Sequence, residues 1–346
     1  MKEADVKLGL KENWKQFTIL VNINAFVGGM IGLERSIFPQ FAAQEFGLSS
    51  QSAMLSFIVA FGFSKAIANC YAEKLADKVG RRNLLLIGWL FAVPIPLILI
   101  YAGSWNWVVF ANVLLGISQG LAWSSTVVMK IDLVGERKRG LAMGLNEFSG
   151  YFAIGIIAFV TGFIANKYGV TPYPFYLGIL ISVAGLLLSY FWAKDTRAFV
   201  EKEKATEGVR VKSFDNVFLS TTIKDKTLSA VTQAGLVNNL NDGMIWGLLP
   251  VLLFSINYNN EHIGIITAIY PAVWGVGQLF TGGMSDRYSK KSMLFWGMLI
   301  QGIAILFLPF NVSFTSFIVI AGVLGLGTAL VYPTFLSTIA QVAPPQ

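Results

Sequence analysis

The chain has 346 residues, of which 55% are hydrophobic and 13% are charged, and its mean hydropathy is +0.62. Soluble domains are about half apolar and about a quarter charged, so this composition excludes a soluble protein and indicates a membrane protein. The one cysteine, Cys70, excludes a disulfide within the chain, and the one histidine, His262, excludes a histidine-based metal cluster.

Ten apolar segments are long enough to cross a bilayer, whose core of about 30 Å needs about 20 residues per helix. They are predicted to be helices, because strand-like alternation is absent and lipid cannot satisfy open backbone groups. In chain order the segments are residues 17–40, 51–73, 83–103, 106–130, 140–165, 173–194, 228–256, 262–285, 292–310 and 314–341. The first segment is too long for the core of a cleaved signal peptide, so we expect it to be retained.

The net charge of +7 is distributed unevenly along the chain. Except for Arg35, Lys65 and Lys167, every lysine and arginine lies in the N-terminal tail or near the connections after the second, fourth, sixth and eighth segments. By the positive-inside rule, this pattern predicts that the N-terminus and these connections are cytoplasmic. The excess positive charge is therefore a topology signal, and no nucleic-acid partner is needed to explain it.

Ionisable residues inside membrane helices cost roughly 2.5–3.5 kcal/mol each and are therefore candidates for function. Glu34 and Arg35 lie near the outer end of the first segment, where snorkelling to the interface is the alternative. Lys65 in the second segment predicts either a carboxylate partner or an anionic substrate. Glu147 in the fifth segment is either a proton carrier or a buried partner of the loop bases.

Asp242, near the middle of the seventh segment, is the strongest of these candidates. Helical spacing places Asn238, Asn239 and Trp246 on its face, which we expect to line a central cavity; a hydrogen-bond cluster between helices is the alternative. The candidate proton-coupling residues are Asp242, Glu147 and Glu34. The candidate substrate cavity consists of Asn24, Arg35, Lys65, Asn112, Gln119, Trp123, Asn238, Asn239, Trp246, Tyr270, Trp274 and Gln278.

The longest polar stretch lies between the sixth and seventh segments and divides six segments from four. Across it the two parts correspond, because Asp77 aligns with Asp286 and Trp123 with Tyr332 at one constant offset. Such internal repeats are common in transporters, so we predict an all-α integral membrane fold of two pseudo-symmetric helical bundles. The predicted domains are an N-terminal bundle of residues 1–192, a cytoplasmic linker of residues 193–227 and a C-terminal bundle of residues 228–346.

Two loops share a charge motif, which reads "EKLADKVGRR" in the first part and "GGMSDRYSKK" in the second. Both resemble GxxxDRxGRK, the signature loop between the second and third helices of each half in the major facilitator superfamily. The first loop keeps the inner glycine as Gly80 but has Glu73 at the leading position, whereas the second keeps Gly282 and has Ser289 at the inner position. The resemblance covers the whole chain in helix order, linker position and loop charge.

This resemblance implies twelve helices, six in each half, so we expect two further helices to follow the ten predicted here; a natural ten-helix member is the alternative. It also implies that the loops latch the halves in the outward-facing state, with Asp77 facing the eleventh helix and Asp286 the start of the fifth near Gly140. A carboxylate suits such a contact because a helix N-terminus carries partial positive charge. The alternative is that the loop bases only fix topology. The candidate latch residues are Asp77, Gly80, Arg81, Arg82, Gly282, Asp286 and Arg287.

Drug antiporters of the superfamily carry RxxQG in the fourth helix and GPxxGG in the fifth, and this chain departs from both. Asn112 and Leu115 replace the arginine and glutamine of the first motif, and the fifth segment reads "GYFAIGIIAFVTG" without a proline. Both departures weaken an assignment to drug and proton antiport. Phosphate-binding and hydrolase motifs are absent from the sequence, which predicts that the protein is not an enzyme and uses a gradient for energy.

We therefore expect a secondary transporter that moves a small organic solute by alternating access, by proton-coupled efflux (antiport). The first alternative is proton-coupled or facilitated uptake of a metabolite, favoured if Arg35 and Lys65 face one anion site. A membrane receptor or scaffold is an alternative of another class. We expect no cofactor beyond a proton gradient, no metal and no nucleic acid, and a monomer in the lipid bilayer of the plasma (inner) membrane.

Overall fold

The structure is a computed structural model that describes residues 7–134, 139–201, 219–285, 288–310 and 313–342, and within these ranges the regular elements are helices. The first half contains α1 (Trp14–Arg35), α2 (Phe38–Phe46), α3 (Gln51–Met54), α4 (Ser56–Val79), α5 (Arg81–Ala92), α6 (Pro94–Ile100), α7 (Trp105–Val134), α8 (Arg139–Tyr168) and α9 (Tyr173–Trp192). The second half contains a π-helical turn (Ser220–Lys224), α10 (Lys226–Ser255), α11 (Asn260–Met284), α12 (Lys290–Phe307), a 3-10 turn (Leu308–Phe310) and α13 (Phe314–Val342).

Nine helices in the described part of the chain are long and apolar enough to cross a membrane, with α5 and α6 counted as one span. The predicted seventh segment corresponds to α10, which is not among the nine although its 30 residues extend about 45 Å. Its polar residues lower the mean hydropathy, but Asn238 and Asp242 are buried whereas Leu236 and Leu240 are exposed. This arrangement of a polar inner face and an apolar outer face suits a membrane helix that surrounds a polar centre.

Two predicted segments are interrupted by proline. The first was expected to run over residues 17–40, but α1 ends at Arg35 and α2 begins at Phe38, with Pro39 in the first turn of α2. The third breaks between α5 and α6, where Pro94 is the first residue of α6. Proline has no backbone N–H to donate and is tolerated in the first turn of a helix, so each proline marks a new helix start.

The two halves meet where α8 packs along α11, a contact that we call the seam. A Cβ atom on Gly155 would lie 2.8 Å from the backbone oxygen of Ala268, and one on Gly162 would lie 2.7 Å from that of Asn260. Glycine therefore permits an approach of the two backbones that any larger residue would prevent. The seam brings the polar interior of each half close to that of the other.

Candidate functional site

Glu147 in α8 is a buried carboxyl of the first half, with 1% of its surface exposed. Its Oε1 accepts hydrogen bonds from Asn146 Nδ2 at 2.7 Å and from Trp123 Nε1 at 3.3 Å. Its Oε2 has no hydrogen-bond partner in the described part of the chain. One oxygen is thus held in place, while the other is available to a proton.

A buried polar network fixes the surroundings of Glu147. Lys130 Nζ donates to Asn146 Oδ1, and because lysine has only donors, the amide nitrogen of Asn146 is directed towards Glu147. Asn24 Nδ2 donates to the backbone oxygen of Asn146 at 2.7 Å, and Asn24 Oδ1 accepts from Thr126 Oγ1 at 2.8 Å. Sequence reasoning missed Asn146 and Lys130 as site residues, although polar residues in apolar segments were the signal that could have identified them.

Asp242 in α10 is a buried carboxyl of the second half, with 5% of its surface exposed. The hydroxyl of Tyr270 in α11 donates a hydrogen bond to Asp242 Oδ1. The same hydroxyl lies 3.2 Å from Thr328 Oγ1 in α13. Three helices of the second half therefore converge on this carboxyl.

Asn238 and Asn241 bind α10 to α12 through one glutamine. Asn241 Nδ2 donates to Gln301 Oε1 at 2.9 Å, and Gln301 Nε2 donates to Asn238 Oδ1 at 3.1 Å. We call this group the amide clasp. Asn239, which was predicted to share the face of Asp242, is instead exposed and donates to the backbone oxygen of Gly235 at 2.9 Å. Successive residues of a helix are rotated by about 100° around its axis, so Asn239 faces a different direction from its buried neighbour Asn238.

Aromatic rings from both halves pack between the two carboxyl sites. The ring of Tyr151 in α8 stacks on that of Trp274 in α11, with centroids 3.5 Å apart. Trp123 lies 5.3 Å from Tyr151 on the side of the first half, and Tyr332 lies 5.5 Å from Trp274 on the side of the second. The predicted cavity residues Trp123 and Trp274 are thus in contact with one aromatic cluster at the seam.

Lys65 in α4 is close to this aromatic cluster. Its Nζ lies 5.5 Å from the ring centroid of Phe61 and 5.6 Å from that of Trp123. Trp123 in turn donates its Nε1–H to Glu147 Oε1 at 3.3 Å, and Lys65 forms no ion pair within the residues described. One cation of the first half therefore lies beside the aromatic cluster between the two carboxyl sites.

Glu34 and Arg35 are buried at the end of α1, with 0% and 2% of their surfaces exposed. The guanidinium carbon of Arg35 lies 5.1 Å from the ring centroid of Phe61 and 5.0 Å from that of Trp246. In the described part of the chain, none of the side-chain nitrogens of Arg35 has a hydrogen-bond partner. Burial disfavours the snorkelling alternative, and an anion bound here would gain charge-assisted hydrogen bonds.

Three other predicted cavity residues are buried in the helix packing. Gln119 Nε2 donates to the backbone oxygen of Val27 at 2.8 Å and so joins α7 to α1. Asn112 Nδ2 donates to Val108 within its own helix at 3.1 Å. Both side-chain amide atoms of Gln278 are buried without a partner among the described residues. Their role in a substrate cavity stays a prediction.

The bases of the first signature loop are bound within the first half. Arg81 Nε forms an ion pair with Asp132 Oδ2 at 2.7 Å, and the same carboxylate oxygen accepts from Thr196 Oγ1 at 2.6 Å. The backbone nitrogen of Arg82 donates to Asp195 Oδ2 at 3.2 Å. The loop is therefore tied to the ends of α7 and α9.

The remaining latch residues occupy different environments. Gly80 has a φ of +91°, a backbone conformation that favours glycine, and the side-chain ends of Asp195 and Arg197 lie against it. Asp77 is exposed, without a hydrogen bond or ion pair in the part of the chain that the structure describes, and Gly282 is buried in α11. Asp286 and Arg287 lie outside the described residues. The latch itself stays a prediction.

Comparison with known proteins gives the family. The chain matches the model of the Major Facilitator Superfamily over residues 20–232 and again over residues 231–346. The chain belongs to this superfamily. It is 24% identical over 312 residues to the multidrug resistance protein MdtG of Citrobacter koseri, and equally to those of Salmonella arizonae and Salmonella choleraesuis. Each alignment covers 87% of this chain and 73% of the relative.

Membership of the superfamily confirms the resemblance given by the two signature loops. The chain is a multi-pass membrane protein and a secondary transporter of small molecules, and it is not an enzyme. The family match falls on the chain twice, as the internal repeat in the sequence predicts. The all-α membrane fold is likewise confirmed.

Proposed function

We propose that this transporter exports small organic molecules in exchange for protons, and that Asp242 and Glu147 are its proton-coupling residues. The observation that carries the proposal is that two buried carboxyls, one in each half, are bonded to opposite ends of one aromatic cluster: Glu147 accepts from Trp123, and Asp242 accepts from Tyr270. Lys65 and Asp242 lie in different halves, so the charged carboxylate attracts the halves to each other. Protonation of Asp242 removes that attraction, which links proton binding to the movement of one half against the other.

The direction of transport rests on the relatives. They are named multidrug resistance proteins, and export of a toxic compound is the direct way for a transporter to confer resistance. The loss of the RxxQG and GPxxGG patterns is an argument against close similarity to the drug antiporters that carry them. We therefore propose export without assigning the individual substrate.

Proteoliposomes that contain the full chain and the fluorescent cation ethidium test this proposal. An inward-directed flow of protons should accompany ethidium export, and Asp242→Asn should reduce gradient-driven export to the level of empty liposomes. Exchange of ethidium for ethidium needs no net proton movement, so the variant should retain it. Glu45→Gln, which alters an exposed carboxylate of α2, is the matched control and should behave as the wild type.

Ethidium export by the wild type that neither responds to a pH gradient nor moves protons would overturn the coupling. Full gradient-driven export by Asp242→Asn would overturn only the role of Asp242 and would leave the proton coupling of the protein intact.

A second candidate function is proton-coupled or facilitated uptake of an anionic metabolite. Arg35 and Lys65 lie over the same ring, that of Phe61, and the buried side-chain nitrogens of Arg35 have no hydrogen-bond partner among the described residues. Two cations on one ring would suit a ligand with a carboxylate and an apolar body. Accumulation of radiolabelled benzoate that requires Arg35, in the absence of ethidium transport, would favour this function over export.

We place the protein in the plasma (inner) membrane with the N-terminus and the 193–227 linker in the cytoplasm, because positive charge is concentrated at that end. We expect it to work as a monomer, without nucleic acid and without a cofactor beyond the proton gradient. In a chain that carries Cys70→Ser, a cysteine introduced at Lys194 should react with an impermeant maleimide only from the cytoplasmic side. Reaction from the outer side of intact cells would show that the orientation is the opposite of the proposed one.

A further inference from the structure

A pocket of about 770 Å³ lies at the end of the bundle where α1 begins and α7 and α9 end. We call it the basic pocket and define it by the six lining residues that the argument uses. They are Lys7, Lys11, Lys15, Lys194, Trp14 and Trp192. Neither buried carboxyl lines the pocket, and the pocket has no part in the proposed proton coupling.

Hydrogen bonds hold the segment before α1 against the ends of α7 and α9. Asn13 Nδ2 donates to the backbone oxygens of Lys7 at 2.7 Å and Leu133 at 3.1 Å, and the backbone nitrogen of Gly9 donates to Leu133 at 2.9 Å. In the amide orientation that satisfies both neighbours, the Gln16 side chain donates to the backbone oxygen of Trp192 at 3.1 Å and accepts from the backbone nitrogen of Lys194 at 2.9 Å. The pocket walls are therefore formed by the folded chain before any ligand binds.

The charge in the basic pocket is predominantly positive. Of the two lining acids, Asp195 already accepts from the backbone of Arg82 and pairs with Arg197 at 3.3 Å, whereas Glu12 is exposed to solvent. Four lysines thus face one carboxylate that is not engaged in an ion pair. A topology signal requires positive charge on this side of the membrane, but it does not require that the charges surround one pocket.

Exposed aromatic rings form the apolar part of the basic pocket. Trp14 and Trp192 are 57% and 55% exposed, and Lys15 Nζ lies 5.8 Å from the ring of Trp14. Phe191 also lines the pocket and is exposed, and the same face of α9 continues towards the membrane with the exposed side chains of Leu187 and Val183, one and two turns earlier. The pocket therefore opens onto a surface that faces lipid, and tryptophan is typical of the membrane interface.

We propose that the basic pocket binds the headgroup of an anionic phospholipid. The lysine ammonium groups would pair with the phosphate, and the two tryptophan rings would contact the glycerol and the first part of the acyl chains. A soluble organic phosphate shares the phosphate chemistry but has no group for the apolar side of the pocket. Because the pocket joins α1, α7 and α9, the lipid would bind to the first half of the transporter only.

Quenching of tryptophan fluorescence by brominated lipids tests this proposal on the purified full chain in detergent micelles. The signal is the part that is lost when Trp14→Phe and Trp192→Phe are combined, so other tryptophans do not contribute. Brominated phosphatidylglycerol should quench this signal at a lower mole fraction than brominated phosphatidylcholine. Each Lys→Gln change in the pocket should raise the required mole fraction of phosphatidylglycerol by about fivefold.

A matched control variant combines Lys→Gln changes at four exposed positions outside the pocket, and it should bind as the wild type does. Those positions are Lys74, Lys78, Lys226 and Lys291. Replacement of the four pocket lysines by arginine keeps the charge and should retain binding, which separates loss of charge from misfolding.

Three results would overturn the proposal. The first is equal quenching of the wild type by the two brominated lipids. The second is an equal loss of affinity in the control variant. In the third, glycerol phosphate relieves the quenching at the same phosphate concentration, and the pocket would then be a site for soluble organic phosphates.

Discussion

The surroundings of Glu147 and the seam are stabilised by different kinds of contact. Around Glu147, side-chain hydrogen bonds join α1, α7 and α8 within the first half. At the seam, α8 meets α11 through glycine backbones and through stacked rings, such as Tyr151 on Trp274. Among the described residues, the hydrogen bonds of both carboxyl sites stay within their own halves.

This difference suits alternating access. Hydrogen bonds are directional, so they keep each carboxyl fixed relative to its own helices. Glycine contacts and ring contacts contain no hydrogen bond that must break, which allows two packed helices to slide against each other at low cost. Asn166 Nδ2 donates to Glu261 Oε2 across the seam at 3.3 Å, but this bond is exposed to solvent. Each half therefore carries its carboxyl as part of a rigid unit.

Removal of the positive charge of Lys65 should have the largest effect on transport. Lys65→Gln should reduce gradient-driven ethidium export to background, because Lys65 is the cation beside the aromatic cluster between the two carboxyl sites. Lys65→Arg keeps the cation and should retain part of the export. Lys74→Gln, an exposed change further along α4, is the control. Normal export by Lys65→Gln would show that the carboxyls work without this cation.

A methyl group at the seam should have the next largest effect. Gly155→Ala places a Cβ atom 2.8 Å from the backbone oxygen of Ala268, so the helices must separate, at a cost of about 1–3 kcal/mol in stability. Gly302→Ala in α12 has open space and should instead stabilise the helix by about 0.5–1 kcal/mol. Thermal unfolding in detergent measures both. Similar melting temperatures for the two variants would show that the seam is not closely packed.

Substitutions in the amide clasp measure how much the polar interior of the second half contributes to stability. Gln301→Leu removes two hydrogen bonds between α10 and α12 and should cost about 1–2 kcal/mol of stability. Asn239 also lies in α10, but its side chain is exposed and bonded only within that helix. Asn239→Leu should therefore leave the free energy of unfolding nearly unchanged. If the two variants unfold alike, the clasp does not hold α12 in place.

The smallest effect on stability is expected at Asp77. It is exposed, and Asp77→Asn should alter the free energy of unfolding by less than about 0.5 kcal/mol. Asp132→Asn, in contrast, removes the negative charge of a buried side chain that pairs with Arg81 and accepts a hydrogen bond from Thr196. It should lower the free energy of unfolding by about 1.5–3 kcal/mol. A change in transport without a change in stability at Asp77 would support the latch, and a loss of stability equal to that of Asp132→Asn would contradict this comparison.

The sequence alone predicted where the membrane helices lie, because hydropathy and segment length are local properties of the chain. It also identified the superfamily, since both signature loops are contiguous stretches that can be read without a structure. The break between Arg35 and Phe38 was missed, although Pro39 was visible as its signal.

Which side chains meet was decided only by the tertiary structure. The sequence identified Asp242 and Glu147 as buried candidates, but not their partners Tyr270 and Asn146, because a hydrogen bond depends on the rotation and spacing of each helix. Helical spacing placed Asn239 beside Asp242, yet packing against α12 buried Asn241 instead. Hydropathy thus determines which segments enter the membrane, whereas the close packing of helices determines which polar groups face one another there.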